Sequence, residues 1–186
     1  VGSGASVTVT PDVELSMGFG DCLTGRLLAL GARPSLGPDV ESSNSGDMFV
    51  TLRMALQAQR SLDNAAVLRD TGKTPAKVSI DCRAALDWAT IEGARMALLD
   101  RRIGSLTPGK QADLILLRAD DLNLHPVIDP IHSIVLHAHA GNVDSVFIAG
   151  KPVKRHGKLL YAGLARRKAE LAETSRRILA KAALAH

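Results

Sequence analysis

The stretch Ile103-Gly104-Ser105-Leu106-Thr107-Pro108-Gly109-Lys110-Gln111-Ala112-Asp113, running into Leu114-Ile115-Leu116-Leu117, divides the chain into two kinds of periodicity. Gly104 and Gly109 suit tight turns, and Pro108 fixes its own φ in advance. Lys110–Asp113 is a polar lead into an apolar run of strand length, which reads as buried. Before this stretch the apolar residues of the longer segments recur at helical spacing. After it they alternate or run together as in strands.

Working outward toward the N-terminus, Ser79 or Asp81 opens a helix with Ala84, Ala85, Trp88, Ala89, Ile91, Met96 and Leu99 on or near one stripe. Asp47 is placed to cap a long helix carrying Met48, Phe49, Leu52, Met54, Ala55 and Leu56, reaching about Gln59 or further, and Thr71–Thr74 is a loop. Ala5–Thr10 is β-branched and stops at Pro11, the signature of a buried strand. Gly18 and Gly20 bracket a turn, Asp21 offers a cap to a short helix Cys22–Leu30, and Gly31 closes it. Arg33–Leu36 is a second short strand, ended by Gly37-Pro38 and followed by the polar run Asp39–Ser45.

Outward toward the C-terminus, strands are expected at Ala112–Leu117, Ser133–His137, Val143–Ile148 and Pro152–Lys154. Gly150-Lys151 reads as the tight turn of a hairpin between the last two. Leu164 to Leu184 is a final helix with Leu164, Leu171 and Ile178 seven apart. Only one heptad position is well filled, which favours a packing stripe over a coiled coil.

The first part therefore alternates strand and helix, the pattern of parallel βαβ units in an α/β fold. Two strands cannot satisfy a parallel sheet or close a barrel, because both edges stay open. With no initial Met, the expectation is a chain that lacks its neighbours.

The 186 residues are 46% hydrophobic and 23% charged, which excludes wholesale disorder. Cys22 and Cys82 fit no CxxC spacing and are expected to be reduced thiols in a cytoplasmic protein. No run approaches the roughly 20 apolar residues of a membrane span, so no membrane partner is expected. The net charge is +4 overall, but residues 151–186 hold ten Lys/Arg and two Glu, so the preceding 150 residues net −4. Tyr161 is the sole aromatic of that basic segment, which offers no stacking platform for nucleic acid. A solvated cationic helix face explains it more simply.

Three segments, in order, resemble the C-terminal portion of the amidohydrolase superfamily, in its cytosine-deaminase-like and triazine-chlorohydrolase branch. The first is Ser35-Leu-Gly-Pro-Asp39-Val-Glu-Ser-Ser-Asn-Ser-Gly-Asp-Met-Phe49. The second is Ala89-Thr90-Ile-Glu-Gly93-Ala94-Arg95 with Ile103–Leu114. The third is Asn142-Val143-Asp144-Ser-Val-Phe-Ile-Ala-Gly150-Lys-Pro-Val153. The resemblance implies a fold: residues 1–100 as the last two βα units of a (β/α)8 TIM-like barrel, 101–160 as a small β-sandwich portion, and 161–186 as a basic terminal helix. It also implies a missing N-terminal part of the barrel and a homo-oligomer.

The resemblance further implies a divalent metal, zinc or iron, whose other ligands lie outside this chain. Asp39 then stands at the end of the last barrel strand as metal ligand and catalytic proton shuttle. Read from the residues alone, capping the turn after Gly37-Pro38 is the simpler role for Asp39, and the surrounding resemblance reverses that order. Pro11–Gly20 would be the loop after the seventh strand, where Asp12 and Glu14 could meet a small-molecule substrate. Relatives often carry His-Cys-Pro at that point, and Val9-Thr10-Pro11 stands there here. Ser42, Ser43 and Asn44 could line the pocket, although polar loop residues are often simply solvated. His137-Ala-His139, on a strand, would point both imidazoles to one face as a metal pair does. Its place between the second and third motifs argues for a structural role instead.

The expected function is hydrolysis of C–N or C–Cl bonds of a nitrogenous ring or amide by activated water. The alternative is a non-catalytic structural or oligomerisation module.

Overall fold

Thr8–Val9 (β1) lies parallel to Ser35–Leu36 (β2), pairing Thr8 with Ser35 and Val9 with Leu36, in the computed structural model of the chain, which describes residues 2–42 and 44–183. Between them run two short helices, Pro11–Ser16 (α1) and Thr24–Ala29 (α2). A loop was expected where α1 stands. Pro11 sits in its first turn with Asp12 and Glu14, and Glu14 Oε1 accepts from Thr10 N at 2.8 Å, so the segment carries its own start signal. The strand is correspondingly shorter than Ala5–Thr10. Asp21 does not cap α2, whose N-cap is Leu23 without a side-chain bond.

The long helix Met48–Thr71 (α3) begins as predicted. Asp47 Oδ1 accepts from Phe49 N at 2.9 Å, and the helix ends on Gly72 at φ 69°. Asp81 likewise caps the next helix, accepting from Ala84 N at 2.8 Å. The single helix expected there is broken in two, Cys82–Trp88 (α4) and Ile91–Met96 (α5). Thr90 Oγ1 donates to Leu86 O at 2.7 Å and its backbone leaves the helical region, which explains the break.

The remaining strands are Leu114–Leu117 (β3), Val143–Ile148 (β4), Lys151–Arg155 (β5) and Lys158–Leu159 (β6), antiparallel in the order β3-β4-β5-β6. The helix Pro130–Leu136 (α6) precedes β4 and the helix Leu164–Ala183 (α7) ends the described chain. Of Ser133–His137, expected as a strand, Ser133–Leu136 is helical and His137 is the C-cap. Asp129 caps α6 by accepting from His132 N at 3.0 Å, with Pro130 in the first turn, and these outweigh the β-branched run. The hairpin turn is Ala149-Gly150 rather than Gly150-Lys151. Both turn residues take positive φ, 51° and 76°, as a two-residue hairpin of matching twist requires. Nor is β3 wholly buried, for Ile115 and Leu116 are about half exposed.

One core links these parts. Val9 and Leu36 meet Phe49, Leu52, Ala55 and Leu56 of α3, which continue to Trp88 of α4, Val135 and Ala138 around α6, and Val143 of β4. Burying Leu56 or Leu52 is worth roughly 1.5–3 kcal/mol each by transfer. Beside it, Arg118 makes a two-pronged pair with Asp121, both at 2.9 Å, and Asn142 Nδ2 donates to Asp121 Oδ2 at 2.7 Å. These bonds hold the Asp121 carboxyl below the usual carboxylate range. By contrast α7 buries no residue, and the packing expected of its stripe is absent among the described residues: Leu171 and Ile178 are exposed. Leu184 lies outside the described residues. No helix of the described residues is long and apolar enough to cross a membrane.

Candidate active site

Because β1 and β2 are parallel, their C-terminal ends face the same way, and the two loops that leave them start side by side. Thr8 and Ser35 share a hydroxyl hydrogen bond of 2.8 Å across the pair, and Gly37 N donates to Val9 O at 3.1 Å. A Cβ on Gly37 would come within 3.2 Å of the Thr8 methyl, so glycine lets the two exits approach closely.

From the β1 exit come Asp12 and Glu14. Asp12 is buried, and its Oδ2 accepts from Thr51 Oγ1 of α3 at 2.8 Å. Glu14 uses Oε1 on Thr10, while its Oε2 is buried with no hydrogen-bond partner. Cys22 stands nearby. Burial, reinforced by the negative charge of Glu14, pushes its thiol pKa up to about 11.

From the β2 exit comes Asp39. It is exposed, takes φ 59°, and its carboxylate has no hydrogen bond or ion pair among the described residues. Asn44 Nδ2 donates to Val40 O at 3.4 Å and Ser45 Oγ accepts from Asp47 N at 3.2 Å, so the loop closes on itself. Ser43 lies outside the described residues. Asp12 and Glu14 thus stand in α1, which follows the strand next to the one that leads to Asp39, with Asn44 further along the Asp39 loop.

The histidines stand elsewhere. His137 ends α6, its ring 5.6 Å from that of His132, and His139 Nδ1 accepts from Gly141 N at 3.0 Å to cap a 3-10 turn, Ala140–Asn142. That is a structural use. Among the described residues no group of three or more His, Cys, Asp or Glu could hold a metal ion. Asp39 presents an exposed carboxylate, and one carboxylate by itself does not make a metal site.

Residues 23–153 match the amidohydrolase family, which is most of the chain. The chain belongs to the amidohydrolase family. It is 37% identical over 150 residues to a 5-methylthioadenosine/S-adenosylhomocysteine deaminase of Teredinibacter turnerae, covering 80% of this chain and 31% of that protein. It is 36% identical over 150 residues to an 8-oxoguanine deaminase of Pseudomonas aeruginosa, covering 80% and 30%. In structure it is similar to an adenosine deaminase from Xanthomonas campestris with bound zinc, at TM-score 0.82 and 29% identity over 95% of this chain and 38% of that one. This amidohydrolase chain therefore spans about a third of the length of these relatives, and its mixed α/β fold is theirs.

Three features of this amidohydrolase segment had no local sequence signal. The bond of Thr51 to Asp12, that of Asp47 Oδ2 to Ala140 N and the grip of Arg53 on Val135 O and Ala138 O all act across tens of residues. Only the alignment of α3 with β1 and α6 brings them into place.

Proposed function

We propose that the complete protein is a metal-dependent amidohydrolase that hydrolyses a C–N bond of an aminated nitrogenous ring. The observation that carries this is Asp39, an unpaired carboxylate at the exit of β2, in a chain similar to deaminases over most of its length. In this reading β1 and β2 are the last two strands of a (β/α)8 barrel, residues 1–100. Residues 101–160 are part of a β-sandwich and 161–186 a terminal helix. Catalytic residues gather at the C-terminal ends of such strands.

A divalent cation bound by Asp39 and by ligands from the rest of the protein, zinc first and iron second, would make its water acidic enough to ionise near neutral pH. Asp39 accepts the proton of the attacking water on a carboxylate oxygen and returns it to the departing nitrogen. Loss of that nitrogen as ammonia completes the hydrolysis. Glu14, with Oε2 buried and unpartnered, is suited to accept from an amino or ring N–H of the substrate. Asp12 keeps one oxygen for such a contact beside its bond to Thr51, and Asn44 offers an amide at the loop. The protein is proposed to be cytoplasmic and a homo-oligomer, which would cover the bare stripe of α7.

The test is ammonia release from aminated purines and triazines by the full-length protein loaded with zinc or iron. Asp39→Asn should lower kcat/KM by about 100-fold or more, the scale of removing a general base. Unchanged turnover in Asp39→Asn, with wild-type activity present, would return this segment to the role of a structural module.

A further inference from the structure

Asp47 ends the loop that begins after β2, eight residues beyond Asp39. One carboxylate oxygen does what any N-cap does, taking the Phe49 N–H at 2.9 Å. The other does something a cap does not need. Its Oδ2 accepts from Ala140 N at 3.1 Å, a residue 93 positions away in the 3-10 turn between α6 and β4. Less than two turns further along α3, Arg53 grips the same segment, donating Nε to Val135 O at 3.1 Å and Nη2 to Ala138 O at 2.6 Å. Residues 135–140 are thus held to the first turns of α3 by one acidic and one basic side chain.

The loop from Gly37 to Asp47 has two anchors. At one end Gly37 N is bonded to Val9 O, within the parallel pair. At the other end is Asp47. Between them, the described residues are bonded within the loop itself, Asn44 Nδ2 to Val40 O at 3.4 Å and Asp47 N to Ser45 Oγ at 3.2 Å. The direction of the Asp39 carboxylate, carried at φ 59°, therefore depends on both ends. We infer that Asp47 is a positioning residue for the reaction: its second carboxylate oxygen, seated on Ala140 N–H, ties the Asp39 loop to the antiparallel-sheet part of the protein. This rests on the role proposed for Asp39.

Substitution can separate the two bonds. Asp47→Asn keeps a cap oxygen but puts an amide donor against the Ala140 donor. Asp47→Ser keeps the cap and is too short to reach Ala140. Asn, Asp and Ser are near-equal N-caps, so α3 still starts. In the full-length protein both variants should lower kcat about 10- to 100-fold, as misplacement by about 1 Å does, while KM stays within about twofold. Amide exchange over residues 37–47 should quicken in both, and exchange in the middle of α3 should not. Unchanged kcat and unchanged loop exchange would overturn the inference. So would equal loss of kcat and of protection throughout α3, which would make Asp47 a stability residue only. If the wild-type protein turns over no aminated substrate, the proposed activity fails, and loop exchange in the two variants still decides the tie by itself.

Discussion

Thr51 donates its hydroxyl proton to Asp12 at 2.8 Å, joining α3 to α1 through a buried bond. Asp12 has no other hydrogen-bonded side chain among the described residues. Thr51→Val has nearly the same shape and leaves the carboxylate without that donor. A buried acceptor deprived of its partner costs about 1–3 kcal/mol. Denaturant unfolding of the full-length protein should show a loss in that range, with Thr51→Ser recovering most of it.

The Cys22 thiol gives a pH signature. Its folded pKa, about 11, lies above that of a free thiol, about 8.5–9. The folded state therefore holds the proton more tightly than the unfolded chain does. The stabilisation is full below about pH 8.5 and is lost as pH rises through about 11. Thermal melts between pH 8 and 11 should fall more steeply in wild type than in Cys22→Ala. At pH 8, iodoacetamide should label Cys82 well before Cys22, the more buried thiol, as read by peptide mass.

Gly25 is boxed in by Gln59. The Gln59 amide oxygen accepts from Gly25 N at 2.8 Å, and its nitrogen donates to Asp63 at 2.7 Å, so the side chain is fixed at both ends. A Cβ at position 25 would lie within 2.4 Å of three Gln59 atoms. Gly25→Ala should cost about 1–3 kcal/mol by overpacking. Adding Gln59→Ala should recover part of that loss in a double-mutant cycle.

Ala149 occupies a left-handed turn position at φ 51°, where a Cβ costs roughly 1–2 kcal/mol. Ala149→Asn or Ala149→Gly should raise the unfolding free energy by up to about 1 kcal/mol, measured by denaturant titration.

The sequence was legible wherever a residue acts on its near neighbours. Asp47 and Asp81 announced their helices, and Gly104, Pro108 and Gly109 marked the change from helices to strands. Reading went astray where two local signals competed. Pro130 after Asp129 started a helix inside a run of strand-like composition, and Thr90 broke a helix whose apolar stripe ran straight through it. The site was legible only in part for another reason. The motif around Asp39 could be read in line, but the partners of Asp12 and Asp47 arrive from distant segments. The stripe of α7 misled in the same way, since periodicity says that a face is apolar and not what covers it.

The backbone at Asp39 has a consequence for how the protein can drift. Its φ of 59° admits Gly, Asn, Asp and His more readily than other residues. Binding a cation in the proposed role admits Asp, Glu, His and Cys. The two sets share Asp and His, and of these a carboxylate is what the proposed proton shuttle uses. Random substitution at this codon is filtered by shape and by chemistry, so the position should vary little even in lineages whose substrate has changed.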